Sequence, residues 1–305
     1  MKTPISKRIL SFANKAIGFI LFIICAVAIY NKVVTNDNLQ KYGAGIKEQF
    51  LKISFSEWSV LLILLFLNYL IESVKWVQVL KDVNPMSVLQ SYKSVLVGQA
   101  FAFFTPVRSG DYVGRILFLA PETKLKGVAQ MAWASYAQLL ITLWMGTLAL
   151  FFNLPFLVWL KWAMPLITFA AFAIYFNNRQ YKGWLKKLNP LQIKQVLKLK
   201  LVALSLLKYF VFILQYTWAV KILAIPVATI DLWVAVAVLL MCLSIIPAIA
   251  LSDLVIRGQL IVLLLAPWYS NGLMLISLST LIWTVNFLIP AIIGSFLLLG
   301  FRIKR

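Results

Sequence analysis

Apolar residues fall in long blocks separated by short polar stretches. The blocks lie at about 14–31, 59–80, 88–104, 128–152, 156–176, 201–223, 232–251, 258–268 and 273–300. A helix needs about 20 residues to cross a bilayer. The blocks at 59–80, 128–152, 156–176, 201–223 and 273–300 meet that length. The block at 14–31 does so only with its flanks. Lys2, Lys7, Arg8 and Lys15 precede it, as in a signal peptide, but the small-residue cleavage site at Ala28–Asn31 is weak and more spans follow. An uncleaved first helix is expected.

The blocks at 88–104 and 232–251 are different. Each meets a proline, Pro106 or Pro247, and then a polar stretch with a shorter apolar piece behind it. Proline breaks the hydrogen-bond ladder, and broken backbone at membrane depth is tolerated only where protein covers it or it lines a wet cavity. Both predict re-entrant helical hairpins.

The two stretches also look like copies. Asp111 and Asp253 are 142 residues apart, as are Arg115 and Arg257, and Trp76 and Trp218; Pro106 and Pro247 are 141 apart. Shared offsets indicate a repeat of helix, hairpin and helix, at 59–152 and 201–300. One further helix between them reverses the second relative to the first. The expected fold is an all-α polytopic membrane protein, a single transmembrane domain over 1–305. It has about six full spans and two re-entrant hairpins in inverted-topology repeats.

Charge supports this topology. With the N-terminus in the cytoplasm, cytoplasmic segments carry 20 Lys and Arg residues and the opposite side 5, of which Arg257 alone lies in 225–272. That follows the positive-inside rule and puts both termini in the cytoplasm. The external loop 31–58 has an amphipathic stretch near Leu39–Leu51, which predicts an interfacial helix.

Composition narrows the function. Hydrophobic residues make up 62% of the 305 and charged residues 12%, roughly half the charged share of a soluble domain. The net charge of +20 sits mostly at the ends of apolar runs, which points to the membrane surface and not to nucleic acid. There is no His, so His-based acid–base chemistry and His metal ligation are excluded. Cys25 and Cys242 both lie in apolar runs and read as buried, reduced thiols. No metal site and no cofactor is expected.

Ionisable groups inside apolar runs mark candidate sites. Asn68, Glu72 and Lys75 share one helix face by their spacing, and with Lys208 they are candidate cavity-lining residues. In the first hairpin Gly110 permits a sharp turn after Pro106, and Ser109 or Asp111 is placed to cap the returning helix. Asp111 and Arg115, four apart, are expected to pair, as are Asp253 and Arg257 in the second hairpin. Arg108 has no obvious local partner and suits a phosphate. Arg108, Ser109, Asp111, Arg115, Asp253 and Arg257 are therefore the candidate lipid-headgroup residues, with Pro106, Gly110 and Pro247 shaping the turns. Gln138, Gln215 and Asn286 are expected to hydrogen-bond between helices.

Gly98, followed by Thr105-Pro-Val-Arg-Ser-Gly-Asp111 and Arg115, resembles the first signature of the lysylphosphatidylglycerol synthase transmembrane (flippase-like) family. Lys75-Trp76 is similar to that family's basic–Trp pair, and Pro247 to Arg257 to its later proline-containing signature. Family members usually carry glycines and a Glu there, where this chain has Ala248, Ala250 and Asp253. The resemblance implies two re-entrant helix pairs and, by way of the multiple peptide resistance factors, movement of lipid between leaflets of a bacterial cytoplasmic membrane. The soluble aminoacyl-transferase domain of those factors is not expected here.

The leading expectation is a lipid translocase, not an enzyme, whose partners are membrane lipids with anionic or phosphate-bearing headgroups. No GxxxxGK[ST] nucleotide motif occurs. The alternatives are an accessory subunit presenting lipid to, or scaffolding, an envelope-synthesis enzyme and, less favoured, a membrane-embedded lipid-linked glycosyltransferase, for which no DxD or ExD pair is present.

Overall fold

The computed structural model describes residues 51, 53–105, 108–152, 160–177, 193–246 and 250–300. The apolar run at 14–31, most of the 31–58 loop, Cys25, Pro106, Pro247 and the C-terminal tail lie outside the described residues. Within them the chain is helical, with no strand.

Helix α1 runs Phe55–Leu80. Ser54 starts it with a capping box: its hydroxyl accepts from the Glu57 N–H, and the Glu57 carboxylate accepts from the Ser54 N–H. Helix α2, Val88–Ala102, starts the same way with Ser87 and Gln90. After a tight turn comes α3, Gly110–Ile116, only seven residues long. Helix α4 is Lys124–Ala149, α5 Leu160–Phe176 and α6 Gln195–Ile222. Helices α7, Thr229–Ile245, and α8, Ala250–Leu265, form the second pair. The last apolar run is one continuous rod, in which α9 (Gly272–Trp283) passes through a π-helical turn (Thr284–Leu288) into α10 (Ile289–Leu297).

That π turn has a chemical cause. Pro290 has no N–H to give the carbonyl four residues back, which belongs to Asn286, and its ring crowds that carbonyl. The ladder relaxes by taking in an extra residue, and the Ile289 N–H bonds to the Thr284 carbonyl. The freed Asn286 carbonyl is buried, and the Tyr69 hydroxyl of α1 donates to it at 2.9 Å. One proline thus fixes where α1 meets the last rod.

Two helices, Phe55–Leu80 and Gly272–Leu297, are long and apolar enough to cross a membrane. Helices α4 and α6, at 26 and 28 residues, match them in length. Outward faces are apolar: Ile63 and Phe66 on α1, Leu166 and Phe169 on α5, and Ile293 and Phe296 on α10 are all exposed. Lys75, Arg115 and Arg257 are buried. A soluble protein seldom shows that distribution.

Packing has an exchange pattern. Helices α1 and α6 pack on each other. The first arm of each helix pair packs on a long helix outside that pair, α2 on α10 and α7 on α4. The α2–α10 crossing is close enough that a Cβ on Gly294 would collide with the Leu96 carbonyl.

Two substitutions test this packing. Gly294→Ala forces α10 away from α2 and is expected to cost about 1–3 kcal/mol. Ala224 holds φ 49° in a Schellman cap that ends α6, with Ile225 N–H bonded to the Val220 carbonyl and Ala224 N–H to that of Lys221. Ala224→Gly removes the Cβ penalty and is expected to stabilise by roughly 1 kcal/mol. Denaturant unfolding of the purified protein reads both signs.

Candidate functional site

The first hairpin is built on backbone contact. Gly98 of α2 faces Gly114 of α3, where a Cβ on Gly114 would lie 2.6 Å from the Gly98 Cα. Only glycine lets the two helices close to that distance. The closure brings Asp111 and Arg115 against α2.

The turn departs from expectation in two ways. The residue in the left-handed region is Arg108, φ 57°, and Gly110 instead serves close packing against Phe101. Neither Ser109 nor Asp111 caps α3. Thr105 Oγ accepts from the Gly110 N–H at 2.6 Å, and both Asp111 oxygens are held by Arg115. That N–H is therefore already occupied.

A cavity of about 470 Å³ lies where the two hairpins meet α1, α4, α6 and the last rod. Asn68, Glu72, Lys75 and Lys208 line it, as do Arg108, Asp111, Arg115, Asp253 and Arg257. Ser109 does not; it is exposed at the turn.

Glu72 is the centre of the cluster. One oxygen accepts from Arg115 at 2.9 Å, and the other from Lys208 at 2.7 Å with Lys75 at 3.5 Å. Lys75 also donates to the Gln138 side chain at 3.4 Å. Arg115 makes a bidentate pair with Asp111 at 2.8 and 2.7 Å. The i, i+3 pairing of Glu72 with Lys75 is thus its longest contact, and the close ones come from α3 and α6. Across the cavity Arg257 bonds Asp253 at 3.1 and 3.3 Å and donates to the Tyr216 hydroxyl at 3.3 Å. Arg108 has no carboxylate partner among the described residues. It donates to Gln99 Oε1 at 2.7 Å and lies over the Phe287 ring at 3.8 Å. Its left-handed backbone and the ring contact together fix where its guanidinium sits.

Several lining residues were not legible as such. Gln99 carried a signal, an amide inside an apolar run beside Gly98. Trp283 and Phe287 carried none, because an aromatic facing a cavity and one facing lipid read alike. Gln138 and Asn286 line the cavity as well as bonding within the protein. Gln215 corrects the expectation for it: it is fully buried, and neither end of its amide has a partner among the described residues.

Compared with known proteins, the chain matches no family model, no curated protein and no solved structure.

The ion cluster makes a graded prediction. Glu72→Gln leaves three cations without their shared anion and is expected to cost about 3–5 kcal/mol. Lys208→Met, at a side chain 24% exposed, should cost less. A double-mutant cycle on the pair should show coupling. Gln215→Met replaces an unsatisfied buried amide with a similar apolar volume and is expected to raise stability by about 1–2 kcal/mol.

Proposed function

We propose that this chain spans a membrane and translocates lipid, taking a phospholipid or glycolipid headgroup into the cavity between its hairpins while the acyl chains stay in the bilayer. The observation that carries the reading is the reversal of ordinary polarity. The outer helix faces are apolar, while Lys75, Arg115 and Arg257 are buried and line, with half-buried Lys208 and with Arg108 at the exposed turn, one cavity that also holds three carboxylates. Such an interior is costly unless polar ligands or water enter it.

The exchange pattern of the packing supports inverted repeats. Each hairpin sends one Asp–Arg pair into the same cavity, Asp111–Arg115 from one half and Asp253–Arg257 from the other. If the halves are inverted, α3 opens toward the cytoplasm and α8 toward the outside. A headgroup then passes from Arg108 to Arg257 as one half rocks against the other. Both termini lie in the cytoplasm of a bacterial inner membrane in this arrangement. The action makes and breaks no bond, in line with a flippase-like membrane domain.

Two measurements test the reading. In liposomes containing the purified protein, dithionite quenching of labelled lipids should show faster exchange between leaflets. Arg108→Ala and Arg257→Ala should each reduce that exchange at least roughly tenfold, the worth of a charge-assisted contact. Wild-type exchange no faster than in empty liposomes would sink the reading. In a background with Cys25 and Cys242 replaced, single cysteines at 109 and 252 should label from opposite sides. Labelling from one side would remove the inverted topology.

A further inference from the structure

The charges in the cavity select among headgroups. Five cations line it against Glu72, Asp111 and Asp253, a formal surplus of two positive charges. Every one of those carboxylates is already held. Glu72 faces three cations, both Asp111 oxygens bond Arg115, and both Asp253 oxygens bond Arg257. An ammonium entering the cavity would have to displace a lysine or an arginine. Arg108 has the opposite condition, a full charge with no carboxylate among the described residues.

Three buried atoms facing no partner sharpen the choice. Asn68 Nδ2 and Arg257 Nε are donors and Asn286 Oδ1 is an acceptor; none has a hydrogen-bond partner among the described residues. Their residues are 5%, 7% and 7% exposed and all line the cavity. Leaving such atoms unpaired is expensive, so a ligand or water that reaches them as the lining adjusts gains a bond at each. The two donors call for ligand oxygens, which a phosphate supplies. The acceptor calls for a donor on the ligand, and a neutral hydroxyl supplies it without adding positive charge.

We infer that the cavity selects an anionic phosphate ester that also carries free hydroxyls, and discriminates against zwitterionic and cationic amine headgroups. The inference rests on the headgroup-binding reading above and names the substrate class for it. A glycerophospholipid with a polyol headgroup and an isoprenoid-linked sugar phosphate share this chemistry.

The test uses the full chain in phosphatidylcholine vesicles with labelled phosphatidylglycerol, phosphatidate, phosphatidylethanolamine and a cationic aminoacyl lipid. Phosphatidylglycerol is expected to exchange roughly tenfold faster than the two amine lipids and faster than phosphatidate, which has the charge without the hydroxyls. Arg108→Gln should collapse the preference over phosphatidylethanolamine, and Asn286→Leu the preference over phosphatidate. Unlabelled phosphatidylglycerol and an isoprenoid-linked sugar phosphate, added separately, should compete, and the stronger competitor identifies the source. Equal exchange of all headgroups would overturn the inference and leave translocation standing. Exchange of none would remove translocation. The inference would then be decided by thermal unfolding in detergent with short-chain lipids: selective stabilisation by phosphatidylglycerol supports it, and equal or no stabilisation overturns it.

Discussion

A single carboxylate holds the centre of this protein together. Glu72 takes one cation from its own helix, one from the first hairpin and one from α6. Three positive charges at that spacing repel, and the repulsion grows as water is excluded. With Glu72 between them the same charges become a clamp across α1, α3 and α6. The clamp also assigns roles. Arg115 is committed to two carboxylates, Glu72 and Asp111, which makes it a positioning group. Arg108, tied only to an amide and a ring, keeps most of its donors.

The helical fold and most of the cluster were readable before any coordinates. Charge inside an apolar run is rare enough to stand out, so Glu72, Lys75, Lys208, Asp111, Arg115, Asp253 and Arg257 could be singled out one by one. Spacing of four supplied the Asp111–Arg115 and Asp253–Arg257 pairs, because both partners sit on one helix. Spacing could not supply the Glu72–Arg115 and Glu72–Lys208 contacts, which join residues 43 and 136 positions apart. The turn was half legible. Its polar sequence marked it, but glycine is the usual choice for a left-handed residue, and here Arg108 takes that conformation while Gly110 serves packing. The π turn was not legible: Pro290 marks a break in the ladder, and a proline can be met by a plain kink as readily as by an extra residue. What the sequence could not say is that Tyr69 would stand opposite the freed carbonyl.

The two helix pairs that carry the Asp–Arg couples close in different ways. The first hairpin closes glycine on glycine, with a return arm of seven residues. The second has a return arm of 16 residues, Ala250–Leu265, and its Gly258 meets only Ile276, at ordinary contact distance. The first Asp–Arg pair is locked to Glu72; the second has a phenol, Tyr216, in place of a second carboxylate. The helix pair bound to Glu72 is therefore the more heavily braced of the two, and the Arg257 side carries the looser ion pair, at 3.1 Å against 2.7 Å.

The Thr284–Leu288 turn also sets the angular register of the last rod. An α-helix advances about 100° per residue, from 3.6 residues per turn. A turn with one residue too many is an offset in register between the segments on either side of it. The faces of α9 and α10 are thereby turned relative to each other by about that angle. Phe287, on which Arg108 rests, and Asn286, on which Tyr69 rests, both lie inside the turn. Pro290 thus acts at a distance along the rod: by placing the extra residue it decides that Phe287 and Asn286 are among the side chains that line the cavity.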